Sequence, residues 1–427
     1  MALKLLAAAD LHLGRRPSRL PASLTDRITA RELGPAGAWE RLVDLALEEE
    51  VHAVLLAGDV VEGEHDFFEA YGELRKGVVR LVESGVRVLA VAGNHDTNVL
   101  PYLSDELTGF QLLGRGGRWE AATLSAGGEE ATIWGWSFPR PSVREDPVTG
   151  HSFRRGPGPN LGLLHCDRDQ AGSPYGPVAS RALEAAELDG WLLGHIHGPD
   201  PLSTPRPTGY LGSLTGLDPG EAGPRGPWML KVDGAALTGL EHRPIAPLRW
   251  IVLDVGLDGL GEPEEARSRF LERLRALHEG LREEARPPLA VGIRLTFVGR
   301  TRFRQEVEKL FQREELGDVS VGDGSVHYFV EALRVDTLPE VELEELARQG
   351  DPVGLLARRL LLLEASPKDP ERQALISRAR LRLERVARDP HRQGLERDGP
   401  DGDETVEWLR RAGKQALDLL LAQRDGP

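Results

Sequence analysis

An α/β fold, with β-sheet covered by helices, is predicted for this 427-residue sequence by three observations. Short apolar runs alternate with amphipathic stretches as far as about residue 245, which is a β-α rhythm. The runs end in Gly, Asp, Asn or His, so polar groups gather at the ends of buried strands. After Pro247 a second, more compact β-α rhythm begins, and from about Leu338 only helical patterns remain.

The opening run, Lys4–Ala9, reads as a first strand. It is too short for a signal peptide or a membrane span, and Asp10 and His12 interrupt it, so a cytoplasmic protein with no membrane association is expected. Val51–Leu56, Arg87–Val91, Leu161–Leu164 and Gly190–Leu193 read as further buried strands, with a helix over Phe67–Ser84. Pro139–Pro159 and Pro199–Pro227, rich in Pro and Gly, read as long loops of the kind that often serve function. Next come strand Trp250–Val255, helix Glu264–Arg286 with Pro263 at its start, strand Leu289–Val298, helix Arg302–Phe311 and strand Ser325–Val335. Three domains are therefore expected: residues 1–245, a small α+β unit over 246–336, and a helical tail over 337–427 with Gly and Asp punctuation near Asp398–Asp403. Helical patterns at Val353–Leu363 and Leu375–Ala387 belong to that tail.

With 40% hydrophobic and 28% charged residues the composition is that of a globular protein. A single cysteine, Cys166, excludes an intramolecular disulfide and a cysteine-based zinc cluster, so metal binding falls to His and carboxylates. A net charge of -15 argues against nonspecific coating of nucleic acid, which needs concentrated Lys and Arg, but not against a local basic strip.

The chemistry sits at five strand ends. Asp10-Leu-His12 presents a carboxylate and an imidazole on one side, because alternate residues of an extended chain point the same way. Gly58-Asp59 adds a carboxylate after a tight turn. Gly93-Asn94-His95-Asp96 offers an amide oxygen, an imidazole and a carboxylate in succession, with Asp96 placed to hold the His95 ring. His165 and the pair His195-Ile-His197 add nitrogen donors. Each motif alone is common at turns and strand caps. Together they make a set of carboxylate, amide oxygen and imidazole that suits manganese, iron, zinc or magnesium rather than copper. Seven donors with one shared carboxylate fit two divalent metal ions.

In this order the motifs resemble those of the calcineurin-like metallophosphoesterases. More narrowly, Gly162-Leu-Leu-His165, Tyr175-Gly-Pro177, Trp191 through His197, Gly209 through Gly216 and Glu221 through Gly226 resemble the DNA repair exonuclease subunit of SbcD type, in its YhaO-like branch. The resemblance implies a four-layer β-sandwich flanked by helices, with the α+β unit as a capping domain that grips DNA. It assigns Asp10, His12, Asp59 and His197 to one metal, Asn94, His165 and His195 to the second, and makes Asp59 the bridge. His95 is then a general acid or transition-state stabiliser oriented by Asp96. Relatives carry an aromatic residue and a second Asp where this chain has Val60-Val-Glu62, a departure expected to touch no ligand.

The implied activity is a metal-dependent DNA nuclease, an exonuclease in DNA repair or end processing, with Mn2+ the first candidate cation and Fe2+, Mg2+ or Zn2+ the alternatives. Candidate phosphate contacts are Arg15, Arg16, Arg19, Arg140, Arg144, Arg154 and Arg155, all in loops near motif strands. The tail resembles the segment on which such nucleases dock an SMC-like ATPase, and family members commonly form homodimers. A phosphatase or small-nucleotide phosphodiesterase on the same site, or a noncatalytic scaffold, are the rival readings.

Overall fold

The computed structural model describes residues 2–62, 67–313, 319–340, 342–387 and 402–424. Among them the strands are β1 (Leu3–Ala8), β2 (Ala53–Ala57), β3 (Arg87–Val91), β4 (Phe110–Leu112), β5 (Glu120–Ala126), β6 (Glu129–Trp136), β7 (Asn160–His165), β8 (Gly190–Gly194), β9 (Thr208–Tyr210), β10 (Trp228–Asp233), β11 (Ala236–His242), β12 (Leu248–Gly256), β13 (Ala290–Arg300) and β14 (His327–Leu338). They form a six-stranded sheet in the order β11-β10-β1-β2-β3-β4, a five-stranded sheet β5-β6-β7-β8-β9, and a three-stranded sheet β12-β13-β14. The first two are mixed, since β1, β2, β3 and β4 run parallel while β10 meets β1 antiparallel, and β6 to β9 run parallel while β5 is antiparallel.

Apart from Lys4, the strands β1 and β2 are apolar throughout because both of their faces are buried. Leu3, Leu5, Ala7, Ala53 and Leu55 point into a core shared with Leu124, Ile133, Leu161, Leu163 and Leu192 of the five-stranded sheet. Leu6, Ala8, Val54 and Leu56 point the other way, onto the helices Pro35–Glu48 and Phe67–Glu83, through Trp39, Leu42, Leu74 and Val78. On the far side of the five-stranded sheet, Leu164, Trp191 and Leu193 pack with Trp136, Phe138 and Leu183. Helix, sheet, sheet and an outer cover make four layers. The expected strand Arg87–Val91 has the bounds expected of it. The Pro199–Pro227 loop contains the short strand β9, and β5, β6, β10 and β11 are strands that the apolar runs named above did not include.

The third sheet carries helices Glu265–Arg282 and Arg304–Arg313 over its own core, with Phe270, Leu274, Ile293, Phe297 and Phe311 buried. A second cluster joins it to the first domain: Leu24, Leu33, Leu248, Trp250, Ala290 and Phe329. Trp250 is fully buried, and its Nε1–H donates to the Gly216 carbonyl at 3.2 Å. Chain contacts divide the protein into two compact units, Met1–Gly299 with Phe303–Thr337, and Arg300–Arg302 with Leu338–Pro427. Both sandwich sheets and the three-stranded sheet fall in the first. The second is built of helices, among them Pro352–Glu364, Pro370–Ala387 and Gly402–Arg424, around Leu346, Val353, Ala357, Leu360, Leu363 and Leu417. Of the expected Gly and Asp punctuation at Asp398–Asp403, residues 398–401 lie outside the described residues. Among the described residues no helix is long and apolar enough to cross a membrane.

Candidate metal centre

The carboxyl ends of β1, β2, β3, β7 and β8 meet where the two large sheets approach one another, and this brings the motif residues together. Asp10 N–H donates to the Gly58 carbonyl at 3.1 Å, and His12 N–H to the Asp59 carbonyl at 2.9 Å, so the first two motifs share a ladder beyond their strands. Across the sheets, His165 Nδ1–H donates to the Ala57 carbonyl at 3.1 Å. Gly58 has φ 88°, and a Cβ there would stand 2.6 Å from His165 Nδ1. A Cβ at Gly93 would lie 2.1 Å from Asp59 Oδ1. Only glycine permits either approach.

Asp10, His12, Asp59 and His195 have φ of 50°, 49°, 48° and 105°, a region that costs a side-chain-bearing residue of order 1–3 kcal/mol. Strain gathered at strand ends that share one pocket is the signature of a built site. Asp10, His12, Asp59, Asp96 and His165 are all at most 2% exposed.

The donors form two groups that share Asp59. In the first, His12 Nε2 lies 3.1 Å from His197 Nε2 and 3.9 Å from Asp59 Oδ2. In the second, His165 Nε2 lies 3.1 Å from Asn94 Oδ1 and 3.4 Å from Asp59 Oδ2. Asp10 accepts from His195 N–H with both oxygens, at 3.0 and 3.1 Å, and it joins His12 and His197 in one cluster and Asp59 and His165 in another. The His195 ring sits 5.1 Å from the His165 ring, centroid to centroid, and as far from that of Tyr175.

Hydrogen-bond partners settle which nitrogen of each ring is free. His12 Nδ1 faces Glu62 Oε2 at 2.9 Å and His197 Nδ1 faces Glu221 Oε1 at 2.7 Å. A carboxylate only accepts, so both rings carry hydrogen on Nδ1, and in the neutral form each leaves a bare Nε2. Two bare nitrogens 3.1 Å apart repel, as do the acceptors around His165 Nε2. A cation in each group turns every one of these repulsions into a bond, so the donor set fits two divalent metal ions.

The charges tell the same story. Burial opposes protonation of His165, yet Asp59 and Asp10 outweigh it and push its pKa up to about 9, so the carboxylates around this ring favour positive charge there. Burial likewise opposes ionisation of Asp59, but His165, His12 and the His95 N–H hold it well below the usual carboxylate range. Burial, helped by the His165 charge, pulls His195 down to about 4.

Two expectations need correction. Asp96 does not orient the His95 ring: its oxygens accept from the Val60 and Gly93 backbone N–H groups, both at 2.7 Å, which pins the loop after β2 to the loop after β3. The His95 Nδ1 instead faces Glu62 Oε1 at 3.0 Å. Nor is the Val60-Val-Glu62 departure remote from the ligands, because Glu62 also holds His12. Glu62, Glu221 and Asp167, the last 3.4 Å from His195 Nε2, are the partners the motifs did not reveal. Their one signal was an acidic residue close in sequence to a motif or, for Glu221, within the Glu221–Gly226 segment.

The arginines do not make one strip. Arg15 lies 3.9 Å from Glu62, beside the site. Arg16 faces Glu69, Arg19 pairs with Glu331 of β14 at 3.0 Å, and Arg140 with Glu145. Arg144 donates to the Gly172 carbonyl. Arg155 pairs with Asp189 at 2.5 Å, just before β8, and Arg154 adjoins it. These two are therefore at the amino ends of the motif strands, about 17 Å from the donors at ~3.3 Å per strand residue, and do not line the site.

A pocket whose donors fit two divalent cations, on a mixed two-sheet sandwich, indicates the class, and residues 3–199 match the calcineurin-like phosphoesterase family: this part of the chain is a domain of that family. The chain is 27% identical to the metallophosphoesterase YhaO of Bacillus subtilis over 242 residues, which cover 54% of this chain and 57% of YhaO. It is 28% identical to the DNA double-strand break repair protein Mre11 of Aeropyrum pernix over 304 residues, 67% of this chain and 71% of that protein. Among solved structures it is similar to TT1561 of Thermus thermophilus, with 11% identity, 57% of this chain and 99% of that one covered, and a TM-score of 0.33. A dimetal phosphatase from Danio rerio matches with 13% identity, 54% and 93% coverage and a TM-score of 0.35.

Proposed function

We propose that this chain is a metal-dependent phosphodiesterase that cleaves DNA, an exonuclease of DNA repair or end processing. The observation that carries hydrolysis is the pair of metal-donor groups that share Asp59, with His95 beside them. DNA as substrate is supported by the similarity to Mre11, which runs over 304 residues and so beyond the 3–199 family match. We read the three-stranded sheet unit as the part that grips DNA, and the helical unit as a docking segment for an SMC-like ATPase.

Asp10, His12, Asp59 and His197 would hold one cation, and Asn94, His165 and His195 the other, with Asp59 shared. When bound, two divalent cations, Mn2+ first among the candidates, neutralise charge on the phosphoryl oxygens and activate water for attack. The chain's own residues do the rest. Asp59 is held in place by the His95 N–H at 3.0 Å. The His95 ring, 42% exposed, gives Nδ1 to Glu62 and keeps Nε2 for the substrate. Its hydrogen bond to Glu62 raises its pKa against the effect of burial, which favours a protonated ring that donates to the leaving 3′ oxygen.

An assay with Mn2+ and four substrates tests the reading: linear DNA, closed circular DNA, bis(p-nitrophenyl) phosphate and p-nitrophenyl phosphate. Breakdown of linear DNA supports it. Preference for the monoester would replace it with a phosphatase, and inactivity with cation bound would replace it with a scaffold.

A further inference from the structure

Glu62 stands on the continuation of β2 past Asp59, and its backbone is fixed there. Leu13 N–H donates to the Val60 carbonyl at 3.0 Å and Glu62 N–H to the Leu13 carbonyl at 2.9 Å, tying this segment to the one that carries His12. From that position one carboxylate reaches two imidazoles, His12 Nδ1 through Oε2 at 2.9 Å and His95 Nδ1 through Oε1 at 3.0 Å. The two rings stand nearly perpendicular, centroids 5.2 Å apart at 81°. His12 turns its other nitrogen toward His197 and Asp59, whereas His95 is only a neighbour of the donors.

We infer that Glu62 is a positioning residue that couples cation binding at His12 to proton donation at His95, by holding both rings through one carboxylate. The inference rests on the metal-dependent diesterase reading above. A carboxylate accepts from both ring N–H groups at once and fixes both in the same tautomer. Glutamine carries no charge and has only one acceptor oxygen on its amide, so it cannot hold both rings as the carboxylate does, and whichever ring it keeps is held more weakly. Nothing in the Asp-x-His or Gly-Asn-His-Asp motifs encodes this link, because the shared partner lies on a third segment.

The test compares the full chain with E62Q, H95A and the E62Q/H95A double variant. Mn2+ affinity is read by titration calorimetry, and kcat at saturating Mn2+ is read on linear DNA and on bis(p-nitrophenyl) phosphate. E62Q is expected to bind Mn2+ about 10- to 100-fold more weakly, as loss of a partner behind a ligand imidazole does, whereas H95A keeps the original affinity. On DNA, whose leaving alkoxide needs a proton, E62Q and H95A each lose kcat, and the double variant is no slower than H95A. On bis(p-nitrophenyl) phosphate, whose p-nitrophenolate leaves unaided, both losses shrink. Unchanged Mn2+ affinity in E62Q would overturn the proposal, as would equal losses on the two substrates or losses that multiply in the double variant. Should the unaltered chain bind Mn2+ and cleave no phosphoester, the functional reading fails instead, and calorimetry of E62Q still decides the Glu62–His12 link.

Discussion

The Nε2 atoms of His12 and His197 lie 3.1 Å apart, and each ring has its Nδ1 committed to a carboxylate, Glu62 or Glu221. Two nitrogen lone pairs at that separation need a positive charge between them. Cation binding should therefore stabilise the fold as well as enable chemistry. At a hundredfold excess of free Mn2+ over Kd the gain is about 2.7 kcal/mol, and calorimetric melting should rise by several degrees over the EDTA-treated protein. Equal melting temperatures with and without Mn2+ would rule this out.

Asp59 and His95 should fail in different ways. Asp59→Ala removes the carboxylate common to both donor groups, so metal analysis should find less than one cation per chain and no activity. His95→Ala removes no donor and should keep its cations while kcat falls by about 10²–10⁴-fold, the usual worth of a general acid. A His95→Ala protein stripped of metal would sink this division of labour.

Asp96 should matter for stability more than for proton transfer. Its fully buried carboxylate satisfies two backbone N–H groups, and Asp96→Ala leaves both unsatisfied at about 1–3 kcal/mol each. Urea denaturation should show a fall in midpoint at unchanged slope. An Asp96→Ala chain as stable as the original would contradict the role.

Cys166 is fully buried directly after His165, and burial pushes its thiol pKa up. The thiolate is the reactive form, so the native protein should resist iodoacetamide and the unfolded protein should take up one equivalent. Rapid labelling under native conditions would show that the strand end opens readily.

Trp250 closes the seam between the sandwich and the three-stranded sheet, with Phe329 edge-on at 5.6 Å and its Nε1–H on Gly216. Trp250→Ala should cost about 3–5 kcal/mol, as for a large buried aromatic side chain. Thermal unfolding provides the measurement, and a shift within error would mean the seam is held elsewhere.

The donor residues were legible because each belongs to a local pattern. A buried strand reads as an apolar run, and polar residues at or just past its end gather at the rim of the sheet, so Asp10, His12, Asp59, Asn94, His165, His195 and His197 stood out as a set over five strand ends rather than motif by motif. The strands β5, β6, β10 and β11 were not legible in that way. In β5 only Ala122 and Leu124 are buried, and these two apolar side chains among Glu, Thr and Ser give an alternation too weak to read as a strand.

What the sequence by itself determined is thus which polar residues stand at the strand ends and the α/β order of the elements that present them. Only the tertiary structure decided which groups face which. Glu62 is 50 residues from His12 and 33 from His95, and Glu221 is 24 from His197, so no local spacing ties them. Asp96 shows the same limit from the other side: next to His95 in sequence, it turns to backbone N–H groups because two bare donors in a buried turn hold a carboxylate more firmly than one half-exposed ring.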